Sequence, residues 1–183
     1  PSLAFIGRMT DQKGPDRAID AARQASFPIR LAGNIDVGNP TYFDDQVKPR
    51  LCDDAIHIGE IDDAGKQKLL RRAQALVFPI DWPEPFGLVM IEAMACGTPV
   101  VALRRGAVGE VVDDGVTGFV VDHVTQLPDA IRAATKLDRR VVRRAFEARF
   151  SADMMARGYA DIYARIINGD IASNGRSSAP SSA

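Results

Sequence analysis

Short apolar runs punctuate the chain, and each is closed by glycine or proline. Leu3-Ala4-Phe5-Ile6 precedes Gly7, Ile29-Arg30-Leu31-Ala32 precedes Gly33, Ala55-Ile56-His57-Ile58 precedes Gly59, and Ala75-Leu76-Val77-Phe78 precedes Pro79. Runs of this kind, bounded by turn residues, read as buried strands. Pro99 to Leu103 reads as a fifth, and Gly118 to Val121 as a sixth after a turn at Asp114-Gly115. Between them the pattern turns helical. Pro15 suits a first helical turn, and that helix is expected to run through about Gln24. Asp62 or Asp63 can cap a helix reaching Arg72. Tyr42 to Leu51 reads as helical despite Pro49, and so do Val124 to Lys136, Val141 to Phe150 and Ala152 to Ile167.

One stretch organises the rest: Glu84 to Val101, EPFGLVMIEAMACGTPVV. Leu88, Val89, Met90, Ile91, Ala93, Met94 and Ala95 are apolar on nearly every side of a helix, which predicts a buried one. Gly87 permits an unusual backbone angle or a close ligand approach where the helix begins, and Gly97 followed by Pro99 stops it. Glu92 then stands inside an apolar helix, where a carboxylate needs a partner. That partner is either a structural Arg or Lys, or a ligand bearing hydroxyls beside an anion-favouring helix N-terminus.

Strands alternating with helices predict an α/β fold, a parallel sheet with helices on both faces. In such sheets the ligand crevice lies at the carboxyl ends of the strands. The loops at Gly7-Arg8, Gly59-Glu60-Ile61 and Pro79 to Gly87 are expected to share that edge.

Composition narrows the function. The 183 residues suffice for one sizeable core. The net charge of −1 gives no reason to invoke nucleic acid. Cys52 and Cys96 form no metal-type spacing or disulfide framework, and no signal peptide or membrane-length apolar run is present. A reducing, cytoplasmic setting follows, with peripheral membrane association open to the full-length protein. Residues 169–183 are rich in Ser, Gly and Ala and are expected to form a disordered tail after a domain spanning residues 1–168. The chain opens almost directly on a strand, as a piece of a longer polypeptide would.

Several familiar motifs fail. No G-x-G-x-x-G follows the first strand. Gly33 to Gly38 has the glycine spacing of a P-loop, but Asn39-Pro40 stand where Lys and Ser/Thr belong. No G-x-S-x-G elbow occurs, and no D-x-D pair is present to hold a metal on a diphosphate. His57 reads as a satisfied core histidine and Cys96 as a small core residue. The arginines at positions 139, 140, 143 and 144 read first as a solvated helix face, and second as a docking face for a missing domain or an anionic surface.

What remains is a constellation. Arg8 and Lys13 stand on the first loop at the ligand edge, where cations suit a diphosphate. The helix starting near Gly87 adds backbone N–H donors, and Glu84 and Glu92 can accept from hydroxyls. An anion joined to a polyhydroxyl group describes a nucleotide-sugar.

The chain resembles the C-terminal, donor-binding domain of family 4 glycosyltransferases, retaining enzymes of the GT-B fold whose halves are Rossmann-like. The likeness runs to about Asn168. It rests on Phe5-Ile6-Gly7-Arg8 with Lys13-Gly14, on Ile58-Gly59-Glu60-Ile61-Asp62-Asp63 with Lys66, on the Glu84 to Val101 stretch with its glutamates eight apart, and on Glu110 to Gly118. The resemblance implies that Arg8 and Lys13, beside Gly7, hold the donor diphosphate. Backbone N–H groups at Gly87, Leu88 and Val89, next to Phe86, would cap it. Backbone around Ile61 would meet the base with Lys66 nearby, Glu84 would meet the transferred sugar, and Glu92 the ribose hydroxyls. Arg8, Lys13 and Glu84 would be the catalytic set. The implied activity is hexosyl transfer from a nucleotide-sugar donor to a sugar, lipid-linked or small-molecule hydroxyl acceptor, without metal or cofactor. The acceptor would bind an N-terminal domain that this chain does not contain. A nucleotide-sugar epimerase or hydrolase of the same fold, and a non-catalytic nucleotide-sugar-binding module, are the other readings.

Overall fold

The computed structural model describes residues 2–168. Six strands form one parallel sheet: β1 (Leu3–Ile6), β2 (Ile29–Ala32), β3 (Ala55–His57), β4 (Leu76–Phe78), β5 (Val100–Leu103) and β6 (Gly118–Val121). Their order is β3-β2-β1-β4-β5-β6. This is the Rossmann order, whose switch point lies between β1 and β4. The two strands meet at Ala4 and Leu76.

The helices are α1 (Pro15–Ala25), α2 (Pro40–Tyr42), α3 (Asp63–Arg72), α4 (Leu88–Ala95), α5 (Val108–Val111), α6 (Leu127–Ala134), α7 (Arg139–Arg149) and α8 (Ala152–Ile167). Side chains alternate across a strand, so Leu3, Phe5, Leu31, Val77, Val101 and Leu103 point to one face, where α1 and α6 cover them. The other face carries α3 and α4. Pro15 begins α1 at its first turn, and the Asp62 carboxylate caps α3 by accepting from Gly65 N at 2.7 Å. His57 is satisfied as the sequence suggests: its Nε2 lies 2.8 Å from Gly33 O, and its ring tilts against Phe43.

Three expectations change. The segment from Tyr42 to Leu51 is not one helix. After the short α2 come a π-helical turn at Phe43–Val47 and a 3-10 turn at Lys48–Arg50, because Pro49 cannot continue an α-helix. Helix α5 was not foreseen. Helix α4 is not buried all round: Met90, Ala93 and Met94 face the core, whereas Leu88 is 64% exposed.

The compact body ends at Glu147. Helix α8 belongs to a second unit and carries Met154, Met155, Tyr159, Ile162, Tyr163 and Ile166 as exposed apolar residues. The tail expected over 169–183 lies outside the described residues.

Candidate donor-binding site

The loops after β1 and β4 flank the switch point, and they are tied together. Asp81 N donates to Gln12 O at 2.9 Å, and Arg17 Nε to Pro79 O at 3.2 Å. A side chain at Gly14 would bring its Cβ to 2.7 Å from that same Pro79 oxygen, and Gly14 has φ +70, so glycine is required at this crossing.

Lys13 Nζ reaches across to Glu84 Oε2 at 2.7 Å. The same oxygen accepts from Trp82 Nε1 at 2.9 Å. Lys13 also stands 5.2 Å from the Trp82 ring and 5.9 Å from the Phe78 ring, within cation–π range. The loop after β5 completes the frame. Ala107 N donates to Glu84 O at 2.9 Å, and Arg105 Nε pairs with Asp81 Oδ1 at 3.0 Å. Gly106 (φ +50) lies so close to the Glu84 and Pro83 backbone that any Cβ would collide with it.

Gly7 and Arg8 follow β1 directly. Arg8 points outward, 61% exposed, with Nη1 3.9 Å from Asp36. A cavity of about 700 Å³ opens beside it, lined by Arg8, Lys13, Asn34, Asp36, Tyr42 and Trp82 among others. Sequence reasoning missed the share of Asn34, Asp36 and Tyr42, tested only as part of a failed P-loop or a helix. The signal for them is positional: they follow β2 and so emerge at the same sheet edge. Tyr42 donates to Asp16 Oδ1 at 2.6 Å, and burial together with that carboxylate holds its phenol well above the usual tyrosine range.

Glu92 and Lys66 form a second pair, Nζ to Oε1 at 2.7 Å, between α3 and α4. Asp63 Oδ1 lies 3.2 Å from the same ammonium. The bond to Glu92 raises the Lys66 pKa above its ordinary value. The expectation of a buried Glu92 is corrected here, since the side chain is 36% exposed. The more enclosed carboxylate is Glu84 at 13%, because three loops fold over it.

Gly87 adopts φ +77 and starts α4, so the first amides of the helix, from Leu88 and Val89, follow directly on the Glu84 loop. Phe86 is 41% exposed beside them. Ile61 stands apart, in a groove along the β3 edge with Ile56, Ile58 and Leu69. The structure thus brings Arg8, Lys13, Glu84 and Trp82 to one place and Lys66 and Glu92 to another, with Ile61 in neither cluster. Among the described residues, no three His, Cys, Asp or Glu side chains converge as a metal site. No described helix is long and apolar enough to cross a membrane.

The family model for "Glycosyl transferases group 1" matches residues 1–149. The chain belongs to this family. Curated relatives agree. An alpha-maltose-1-phosphate synthase of Mycobacterium tuberculosis is 31% identical over 135 residues, 67% of this chain and 33% of that protein. A D-inositol 3-phosphate glycosyltransferase 2 of Catenulispora acidiphila is 30% identical, over 90% of this chain and 43% of its own length. The fold matches the crystal structure of AviGT4, a glycosyltransferase involved in avilamycin A biosynthesis, with TM-score 0.79, 29% identity, and coverage of 92% of this chain and 52% of that one. It also matches Anabaena HepE in complex with UDP and glucose, with TM-score 0.77, 25% identity, and coverage of 89% and 48%. The chain therefore spans about half the length, or less, of these family members. The sheet is one Rossmann-like half of the GT-B architecture they share.

Proposed function

We propose that this chain is the donor-binding half of a retaining hexosyltransferase that takes its sugar from a nucleoside diphosphate. One observation carries the reading: Lys13 and Glu84, 71 residues apart, meet beside the start of α4 at the sheet's switch point. That places a cation, helix amides and an enclosed carboxylate together where this sheet type holds ligands. Arg8 and Lys13 bind the diphosphate, with the amides of Gly87, Leu88 and Val89 capping it. Glu84 accepts from the sugar hydroxyls, while its bond from Trp82 fixes the carboxylate plane. Glu92 accepts from the ribose, with Lys66 and the backbone near Ile61 toward the base. Anabaena HepE, solved with UDP-glucose, makes uridine the first base to test.

In the reaction the bond between the anomeric carbon and the diphosphate oxygen breaks, the acceptor hydroxyl oxygen attacks from the same face, and its proton passes to the departing phosphate oxygen. Negative charge grows on the leaving phosphate. Lys13 and the α4 amides face that charge in a fixed frame and the more exposed Arg8 joins them, which is the electrostatic way to lower the barrier. The two cations serve in place of a metal. The acceptor is held by a further, N-terminal domain, onto which the exposed apolar face of α8 packs. The enzyme works in the cytoplasm.

Calorimetric titration of the chain with UDP-glucose and other nucleotide-sugars, with EDTA present, tests the reading. Binding of one donor in the micromolar range supports it, and the chain alone should show no transfer. Absence of binding to every nucleoside diphosphate overturns it.

A further inference from the structure

At the far end of α4 the chain concentrates positive charge. A shallow, open depression is lined by Arg71, Arg139, Arg140, Arg143 and Arg144, with Ala95, Cys96 and Gly97 as its floor and no acidic side chain among its lining. Five of the chain's 23 Lys and Arg residues meet there although the chain as a whole carries −1.

Part of this cluster is architectural. Arg139 donates to Ala73 O at 2.5 Å, Arg71 O at 3.0 Å, Cys96 O at 3.3 Å and Thr98 Oγ1 at 2.8 Å, which docks α7 on the end of α4. Gly97 (φ +69) lets that contact close, since a Cβ there would stand 2.8 Å from Arg139 O. Arg143 binds Ala95 O and pairs with Glu147 at 2.7 Å. The expected solvated face is therefore in part a docking face. Architecture does not account for the rest. Among the described residues no ion pair joins Arg71, Arg139, Arg140 or Arg144 to a carboxylate. Burial lowers the Arg139 pKa, so this cation sits in a place that disfavours its charge. Four of the arginines also occupy the first two turns of α7, the positive end of the helix dipole, where cations cost stability. A local conflict of this kind, only partly offset by the hydrogen bonds of Arg139 and the Glu147 partner of Arg143, marks a functional site. Asp138 offsets part of it, its Oδ1 capping Arg140 N at 2.8 Å.

We infer that the arginine depression between α3, α4 and α7 is a second anion site, built for phosphate groups. Guanidinium forks match phosphate oxygens in pairs, and the positive end of the α7 dipole favours the same charge. The site is separate from the β1–β4 edge but not isolated from the candidate ribose pair. A neighbouring cavity of about 340 Å³ is lined by Lys66 and Glu92 together with Arg71, Ala95, Cys96 and Arg143, all four shared with the arginine depression. Phosphate bound here draws on Arg71 and Arg143 and so reaches the Lys66–Glu92 pair.

The test uses inorganic pyrophosphate as probe, on the chain carrying Arg8→Ala and Lys13→Ala so that the switch-point cations take no part. The variant Arg140→Ala/Arg144→Ala removes two exposed cations without touching the core. It should weaken pyrophosphate binding at least about tenfold. The charge-matched Arg30→Ala/Lys68→Ala, on β2 and α3 in the groove beside β3, should leave it nearly unchanged. A parallel arm measures co-sedimentation with phosphatidylcholine vesicles with and without phosphatidylglycerol. Sensitivity to Arg140 and Arg144 in the pyrophosphate arm identifies a soluble phosphate ligand; the same sensitivity in the vesicle arm alone identifies a lipid headgroup. If neither arm responds to that pair, or both double variants lose binding equally, the site is overturned. Because the switch-point cations are absent throughout, this result is independent of whether the nucleotide-sugar reading holds.

Discussion

The ammonium of Lys13 and the carboxylate of Glu84 are 2.7 Å apart, 28% and 13% exposed, and framed by Trp82 and Phe78. An ion pair this enclosed differs from the surface pairs of the chain, such as Lys48–Asp44 at 66% and 59%. Enclosed charges are weakly screened, and removing one strands the other.

Lys13→Met should therefore leave Glu84, among the described residues, with the Trp82 indole as its one side-chain donor. The expected loss of stability is about 1–3 kcal/mol, measured by urea denaturation. Lys48→Met should change stability by no more than about 1 kcal/mol. Equal effects of the two substitutions would show that the Lys13–Glu84 pair is as solvated as the surface one.

Much of the fold is legible in the sequence, for an identifiable reason. Strands at Leu3–Ile6, Ile29–Ala32 and Gly118–Val121 are apolar runs with turn residues at their borders, and helix α3 carries its cap in Asp62. Local chemistry sets these elements, so local reading finds them. Helix α5 is only four residues long and has no period to read. Burial is not local. Apolar residues along α4 suggest an enclosed Glu92, but Leu88 and Glu92 lie on its open side. Enclosure of Glu84 comes from loops that follow β1, β4 and β5, and only the folded sheet brings them together.

Gly106 holds the backbone on which Glu84 stands. Its φ of +50 suits glycine, and a methyl group there would press on the Glu84 and Pro83 main chain. Gly106→Ala should cost about 1–3 kcal/mol and displace the carboxylate. Thermal unfolding measures the first effect. For the second, affinity for a sugar nucleotide should fall more than affinity for the bare nucleoside diphosphate. Wild-type stability in this variant would remove the clamp.

Alkaline pH should expose two raised pKa values. Lys66 is held above its ordinary 10.5 chiefly by its bond to Glu92. A group raised on folding stabilises fully below its unfolded pKa and loses that contribution as pH rises through the folded value. The difference in melting temperature between wild type and Lys66→Met should thus be constant through neutral pH and shrink above about 10.5. Tyr42 is raised further, by burial and then by Asp16. Its phenolate absorbance should appear only as the protein unfolds in base, and Tyr42→Phe should delete that late step. Ionisation of Tyr42 in the folded state would contradict its placement.

The two glutamates should divide the donor between them. Glu92 lies one turn inside α4, paired with Lys66, and every nucleotide donor carries the ribose assigned to it. Glu84 lies before the helix, paired with Lys13, and only the full donor carries the sugar assigned to it. Glu92→Gln should weaken UDP and UDP-sugar alike, by about 1.5–3 kcal/mol where a charged hydrogen bond is lost. Glu84→Gln should spare UDP and weaken the UDP-sugar. A purely structural role for Glu92 predicts something else: a lower melting temperature with no ligand-specific effect. The pair is 24% and 36% exposed, so that structural cost should stay near about 1 kcal/mol. Titrating both variants with both ligands, beside unliganded melting curves, separates these outcomes. If each variant weakens both ligands to the same extent, the assignment of sugar to Glu84 and ribose to Glu92 fails.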